Sequence, residues 1–235
     1  MQIAEIFASI QGEGLLAGTP SAFVRTSGCN LRCTWCDTPY TSWRPEGTAL
    51  SVDAIAAAVA RLPESRHVVI TGGEPLIAPE LPALVEALRR GGERHVTIET
   101  AGTVHVPVRA DLWSISPKLA NSTPAPHSGA PAEPGEWTAR HEERRRRPDV
   151  VRRLMDSGDY QLKFVIGAPT DLDEVLQFLE EIEPVERDRV LLMPQARSVA
   201  ELDAAAAWLP ELCRRHGVRF GDRLHIRLFG NTRST

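Results

Sequence analysis

Nothing in the sequence approaches the run of about 20 apolar residues that a bilayer-spanning helix needs, so an integral helical membrane protein is excluded. The start Met1-Gln2-Ile3-Ala4-Glu5 lacks the basic residues and apolar core of a secretory leader, which predicts a cytoplasmic location. Basic charge is not in excess: 27 Lys and Arg against 31 Asp and Glu leave a net charge of -4, so no general attraction to nucleic acid is expected. The absence of internal repeats or extended low-complexity tracts argues against a solenoid. Cysteine is scarce, with four in 235 residues, and its placement does not suit a disulfide framework. Three of the four crowd into eight residues, and in a reducing compartment that pattern reads as metal ligation.

Those three form Cys29-x3-Cys33-x2-Cys36, just after the apolar run Ala22, Phe23, Val24. Thiolates are the ligands iron-sulfur clusters prefer, and a four-iron cluster held by three of them keeps one iron open to a small molecule. A structural zinc site would close four ligands, and no partner pair at the usual spacings is visible. A zinc or electron-transfer module remains the alternative; it would need a fourth permanent ligand, for which Cys213 is the remaining thiol. Cys213 recurs with Leu209 and Leu212 at helical spacing, so it reads as a buried core thiol. His67 and His95 start strands, His216 ends a helix, and His127 and His141 fall in a loop-like segment. None has an i,i+4 partner suited to a metal, and no chemistry is assigned to them.

Short β-branched runs alternate with Ala/Leu-rich segments of helical period, the pattern of βα units around a parallel sheet. Strands are predicted at 22–24, 67–71, 95–99, 112–116, 161–166 and 189–193. Helices are predicted at 54–62 behind a Ser51 cap, and at 80–90, 148–157, 171–183 and 199–216. The fold class is therefore α/β, an incomplete (β/α) barrel of about six parallel strands, since a full eight-stranded barrel takes about 250 residues. A single domain over 1–235 is expected. Polar clusters follow the strands at the cysteine loop, Thr71 to Pro75, Glu99 to Gly102, Ser116 to Lys118 and Met193 to Gln195, at the end where barrel enzymes carry their sites. Residues 120–147 break the rhythm as an insertion, first Pro- and Gly-rich, then charged through Arg140 to Arg147. Such a loop is either disordered or functional. Its arginines interleave with Glu142 and Glu143, so a solvated helix face is expected rather than a nucleic-acid patch.

The segment Thr71-Gly72-Gly73-Glu74-Pro75 offers a backbone free of side chains and a carboxylate able to meet an ammonium group. Alone it would be a turn and a helix start. About forty residues after Gly28-Cys29-Asn30-Leu31-Arg32-Cys33-Thr34-Trp35-Cys36-Asp37-Thr38, it resembles the element with which radical S-adenosyl-L-methionine (SAM) enzymes hold the methionine end of SAM. Adding Ile6 to Gly14, Phe23-Val24-Arg25, Ser116-Pro117-Lys118, Gln161 to Val165 and Leu228-Phe229-Gly230-Asn231, nearly the whole chain resembles the 7-carboxy-7-deazaguanine synthases. These are lyases of queuosine-type deazapurine biosynthesis, and the resemblance does not rest on the Pro-rich insertion.

The resemblance implies a 4Fe-4S cluster on Cys29, Cys33 and Cys36, and SAM against Trp35, Cys36, Asp37, Gly73, Glu74, Ser116, Pro117, Lys118, Met193, Pro194 and Gln195. It implies a pterin substrate held by Ile10, Gln11, Gly12, Glu13, Arg25 and Thr71, and a Mg2+ ion touched by Thr38. A guanidinium at Arg25 suits the pterin carboxylate, and Mg2+ takes few protein ligands. The implied chemistry is reductive cleavage of SAM to a 5'-deoxyadenosyl radical, hydrogen abstraction from C6 of 6-carboxy-5,6,7,8-tetrahydropterin, and ring contraction with loss of ammonia. No catalytic side chain beyond cluster and radical is implied. An external donor of flavodoxin or ferredoxin type and a homodimer are expected. A radical SAM enzyme of another substrate class, such as a glycyl-radical activase, would share the cysteines and Gly72 to Pro75 but would not need Gln11 to Gly14 or Arg25.

Overall fold

The computed structural model describes residues 1–63, 66–125 and 135–235. Its strands are β1 (Gln2–Ile10), β2 (Pro20–Thr26), β3 (Thr48–Ala49), β4 (His67–Gly72), β5 (His95–Thr100), β6 (Leu112–Ile115), β7 (Tyr160–Ile166), β8 (Val190–Pro194) and β9 (Arg219–Phe220). They form one sheet in the order β3-β1-β2-β4-β5-β6-β7-β8-β9. From β2 to β9 every pairing is parallel, whereas β1 runs antiparallel to both β2 and β3. The six predicted strands are the six long parallel ones, in sequence order, and the sheet stays open as an incomplete barrel. The N-terminal segment is not an edge: β1 is paired on both sides, with the two-residue β3 outside it.

The helices are α1 (Pro39–Ser42), α2 (Val52–Ala60), α3 (Leu81–Arg90), α4 (Trp137–Arg145), α5 (Pro148–Asp156), α6 (Leu172–Glu181), α7 (Val199–Ala206), α8 (Leu209–His216) and α9 (Leu224–Phe229). Ser51 caps α2 by accepting the Ala54 N–H, as its position suggests. Leu81, Leu84, Val85 and Leu88 give α3 one apolar stripe at i, i+3, i+4 and i+7. Val150, Val151, Leu154 and Met155 do the same for α5, and Leu172, Val175, Phe178 and Leu179 for α6. These stripes meet Val68, Ile70, Val96, Ile98, Leu162 and Phe164 on the outer face of the sheet. Each such side chain removed from water contributes about 1.5–3 kcal/mol. Among the described residues no helix is long and apolar enough to cross a membrane.

The helix expected over 199–216 is two. Pro210 has no N–H for the helical ladder and its ring crowds the carbonyl four residues back, at Ala206, where α7 stops. Most of the Pro-rich half of the predicted insertion, residues 126–134 with Pro126, His127, Gly129, Pro131 and Pro134, lies outside the described residues. Its charged half departs from the expectation of a solvated face. Within α4, Arg140, Glu142, Glu143 and Arg144 are exposed, but His141 and Arg145 are buried one turn apart on a common stripe.

Period-2 alternation sends the other strand side chains to the inner face, and there the composition changes. Phe7, Phe23 and Val69 form a small apolar cluster. Arg25, Thr71, Glu99, Ser114, Lys163 and Val165 continue that face into a cavity of about 430 Å3 at the C-terminal ends of the parallel strands.

Candidate active site

The cysteine loop leaves β2 through Gly28, whose φ of 104° is open to glycine without strain. Cys29, Cys33 and Cys36 all line the cavity. The Leu31 N–H donates to Cys29 Sγ at 3.4 Å, and the Ser42 hydroxyl lies 3.3 Å from Cys36 Sγ. No disulfide links them. Burial pushes the Cys29 thiol up to about 12 and raises those of Cys33 and Cys36, so taking up a metal group must expel their protons.

Gly72 and Gly73 serve the loop as much as a ligand. A Cβ on Gly73 would stand 2.1 Å from the Gly28 carbonyl oxygen, and one on Gly72 would stand 2.2 Å from that of Thr26. Bare backbone lets the end of β4 bond the loop directly, Gly73 N–H to Thr26 O at 3.2 Å and Glu74 N–H to Gly28 O at 2.9 Å. Glu74 itself departs from expectation. Its carboxylate does not line the cavity; it is fully buried and accepts from the Thr100 hydroxyl at 2.8 Å and from the N–H groups of Ala101 at 2.9 Å and Leu76 at 3.1 Å. It fastens β4 to β5 instead of facing an ammonium group.

A charged network forms the opposite wall. Glu13 receives Lys163 Nζ at 3.0 Å and Arg223 Nε at 2.9 Å. Lys163 also lies 3.4 Å from Glu99, and Arg223 also pairs with Asp37. Glu99 accepts from the Gln11 amide at 3.2 Å and the Thr71 hydroxyl at 2.8 Å. Burial alone would raise the Glu13 pKa, but the cations of Lys163 and Arg223 outweigh it and hold the carboxyl far below the usual range. Burial would lower that of Lys163, yet Glu99 and Glu13 keep it charged. His225 is the converse, its pKa pulled below the usual histidine value by burial. It occupies the space above Gly12, where a Cβ would stand 2.1 Å from its Nδ1, while the Leu224 N–H donates to the Gly12 carbonyl at 2.8 Å.

Of the expected substrate contacts, Ile10, Gln11, Gly12, Glu13, Arg25 and Thr71 share this cavity, with Trp35, Asp37, Thr38, Gly73, Ser116, Lys118 and Met193. Pro117, Pro194 and Gln195 do not line it. Pro117 and Pro194 are buried behind the wall and Gln195 is exposed beyond the end of β8. Arg25 gives its Nε to Glu5 at 2.7 Å, and Tyr40 donates its hydroxyl to the same carboxylate at 2.8 Å. Lys118 folds back on Ser116, 2.7 Å from both its carbonyl and its hydroxyl. Thr38 Oγ1 lies 3.9 Å from Cys36 Sγ. Glu99, Lys163, Arg223 and His225 are members that the motifs did not announce.

Residues 23–115 match the Radical SAM superfamily. The sequence is 45% identical over its whole length to a 7-carboxy-7-deazaguanine synthase of Halobacterium salinarum, covering 93% of that protein. It is 47% identical over 99% of its length to one of Rhodopirellula baltica, covering 88% of it. The chain belongs to the 7-carboxy-7-deazaguanine synthase family. Its fold agrees with the crystal structure of QueE from Escherichia coli at a TM-score of 0.64 and 26% identity, over 95% of this chain and 94% of that one.

A radical SAM enzyme of this family uses a 4Fe-4S cluster and S-adenosyl-L-methionine, and the donors present suit both. Among the described residues no three His, Cys, Asp or Glu side chains converge on one point as a single-ion site requires. A cubane instead takes each thiolate on a different iron, which three spread thiols of one loop can supply. Cys213, 2% exposed in the core on α8, offers no fourth ligand. The bare backbone at Gly73 and the polar groups of Ser116 and Asp37 line the same cavity as the thiols.

Proposed function

We infer that the chain converts 6-carboxy-5,6,7,8-tetrahydropterin to 7-carboxy-7-deazaguanine with loss of ammonia. One observation carries the reading: three thiols and a wall of paired carboxylates and cations face each other across a single cavity. When bound, the cluster and SAM supply the radical that removes a hydrogen atom from the substrate. The protein's part is to hold and orient. A carboxylate offers about four acceptor sites; Glu99 uses three and Glu13 two on their protein partners. Both can accept further N–H groups, and the amino-pyrimidinone edge of a pterin presents such donors. Lys163 and Arg223 keep the Glu13 carboxylate ionised for that task. Arg25 spends its Nε on Glu5, which aims the rest of the fork, and a guanidinium there suits the substrate carboxylate.

Anaerobically reconstituted protein, given SAM, reductant, magnesium and the carboxypterin, is expected to yield the deazaguanine mass. SAM cleavage without that product would assign another substrate class. Arg25→Ala should leave SAM cleavage intact and weaken carboxypterin binding by roughly 1.5–3 kcal/mol, the scale of a charge-assisted hydrogen bond. Unchanged affinity in calorimetry would show that Arg25 faces elsewhere.

A Mg2+ ion held through the Thr38 hydroxyl and substrate oxygens belongs to the same reading, because a ring contraction beside a carboxylate gains from a cation that orients it. Removing magnesium should slow product formation at least about tenfold, and Thr38→Ala should slow it in the same direction, with cluster content unchanged. Equal rates in chelator and in millimolar magnesium would exclude the ion. The reading also includes a single domain over 1–235, a cytoplasmic location, a flavodoxin- or ferredoxin-type electron donor and a homodimer.

A further inference from the structure

The buried polar residues of α4, His141 and Arg145, have no place in the chemistry above, and His141 points at the cysteine loop. The Arg32 N–H, between Cys29 and Cys33, donates to His141 Nδ1 at 3.1 Å. On the other side of the ring, His141 Nε2 lies 2.9 Å from the Ser122 hydroxyl. Ser122 has one hydroxyl proton and gives it to the Leu119 carbonyl at 2.6 Å, so it can only accept from the ring. His141 is therefore the neutral Nε2–H tautomer, with a lone pair on Nδ1 aimed at the loop amide. Its burial is complete, and burial pulls its pKa down to about 4, in keeping with that form.

The contact is one of several along the same stretch of loop. The Thr34 N–H donates to the Ser122 carbonyl at 2.9 Å, and Arg144 Nη1 reaches the Asn30 carbonyl at 3.4 Å. The Arg32 guanidinium lies over the Trp137 ring, 3.8 Å from its centroid. Arg145 anchors the helix from below, through the Lys118 carbonyl at 3.1 Å and Glu174 at 2.6 Å. Residues 30, 32 and 34 are thus each held from the segment that breaks the barrel's rhythm.

We propose that His141 is a positioning residue for the cluster, fixing the loop amides between Cys29 and Cys33 so that the thiols present their sulfurs in the arrangement a cubane takes. The Leu31 N–H that donates to Cys29 Sγ is the neighbour of the amide His141 holds. Hydrogen bonds to cluster sulfurs set the potential and electronic structure of the cluster. Releasing Arg32 therefore alters the cluster itself as well as the stability of α4. The inference rests on the cluster reading of the three cysteines and goes beyond it, because it concerns a residue that touches no ligand atom.

Two substitutions divide the ring's two contacts. In His141→Asn the side-chain oxygen stands where Nδ1 stood and can still accept from Arg32, but the chain ends short of Ser122. In His141→Gln the amide reaches Ser122 and no acceptor remains at the Nδ1 position. Iron release from reconstituted protein to bathophenanthroline, and the EPR spectrum of the dithionite-reduced cluster, are the readouts, with melting of each apo-protein as the control for folding. The Gln variant should release iron roughly tenfold faster than wild type, the scale of lost outer-shell support, with a shifted EPR spectrum. The Asn variant should stay near wild type in both. Equal release from the two variants, faster release from Asn, or wild-type behaviour in both would overturn the role. If wild type itself takes up no cluster, the cysteine reading fails first and this one with it.

Discussion

Replacing Cys29, Cys33 or Cys36 by alanine is expected to abolish cluster uptake and all product formation, while Cys213→Ala retains about four irons per chain. Three thiolates are the minimum that holds a cubane with one iron open, so the loss of any one leaves two protein ligands and a second exposed iron. The three sulfurs face the cavity from a single loop. Cys213 packs instead in the core with Leu209 on α8 and does not line the cavity that holds the other three thiols. Iron and sulfide analysis of anaerobically reconstituted variants decides the matter, with circular dichroism to show that each has folded. Cluster retention in any of the first three, or its loss in Cys213→Ala, would overturn the ligand assignment.

The fold was legible because parallel strands buried on one face by helices announce themselves as β-branched runs, such as Val68-Val69-Ile70, separated by stripes such as Leu81, Leu84, Val85 and Leu88. Breakers were the weaker part. The joint at Ala206 follows from Pro210, a residue visible in the sequence but outvoted by the long apolar period around it. Half of the site carried a second signal of the same kind. A strand buried on both faces reads as continuously apolar, so Glu99, Ser114, Gln161 and Lys163 at alternate positions mark an inner face that must bind something polar. That alternation is present in Gln161-Leu162-Lys163-Phe164-Val165 and needs no motif to be seen.

Other features had no local signature. Glu74 could as well meet a ligand as a backbone; only the fold puts the Thr100 hydroxyl and the Ala101 N–H within its reach. The charged helix α4 reads as solvated because two inward residues one turn apart, His141 and Arg145, are too few to mark a buried stripe and both are polar. Arg223 and His225 lie more than two hundred residues from the Gln11 to Glu13 segment they secure. Nothing in their neighbourhood, Gly221-Asp222-Arg223-Leu224-His225, distinguishes them from an ordinary helix start.

Arg223→Met is expected to lower the melting temperature of the reconstituted protein by roughly 6–12 °C, the equivalent of about 3 kcal/mol in a chain of this size. Arg223 is mostly buried, and one guanidinium joins Glu13, Asp37 and the Ala196 carbonyl, the last at 2.5 Å. Removing it strands Glu13 with Lys163 alone and leaves Asp37 without its partner. The figure sits at the low end of the cost of breaking a buried pair because the Asp37 side chain is 36% exposed and water can take part of the lost role. Because Glu13 is held well below its unfolded value, the stabilisation is present above the ordinary carboxylate range and is lost as pH falls through the folded-state value. The gap between wild type and variant should therefore begin to close below about pH 4. Arg223→Lys should recover only part of the loss, since an ammonium keeps the charge but cannot fork between two carboxylates. The deciding measurement is the cycle with Glu13→Gln. If Arg223 acts by compensating Glu13, the double variant is more stable than the sum of the two losses by about 1 kcal/mol or more. Strict additivity would show that the guanidinium serves Asp37 and the Ala196 carbonyl alone, and that Lys163 suffices to hold the Glu13 carboxylate.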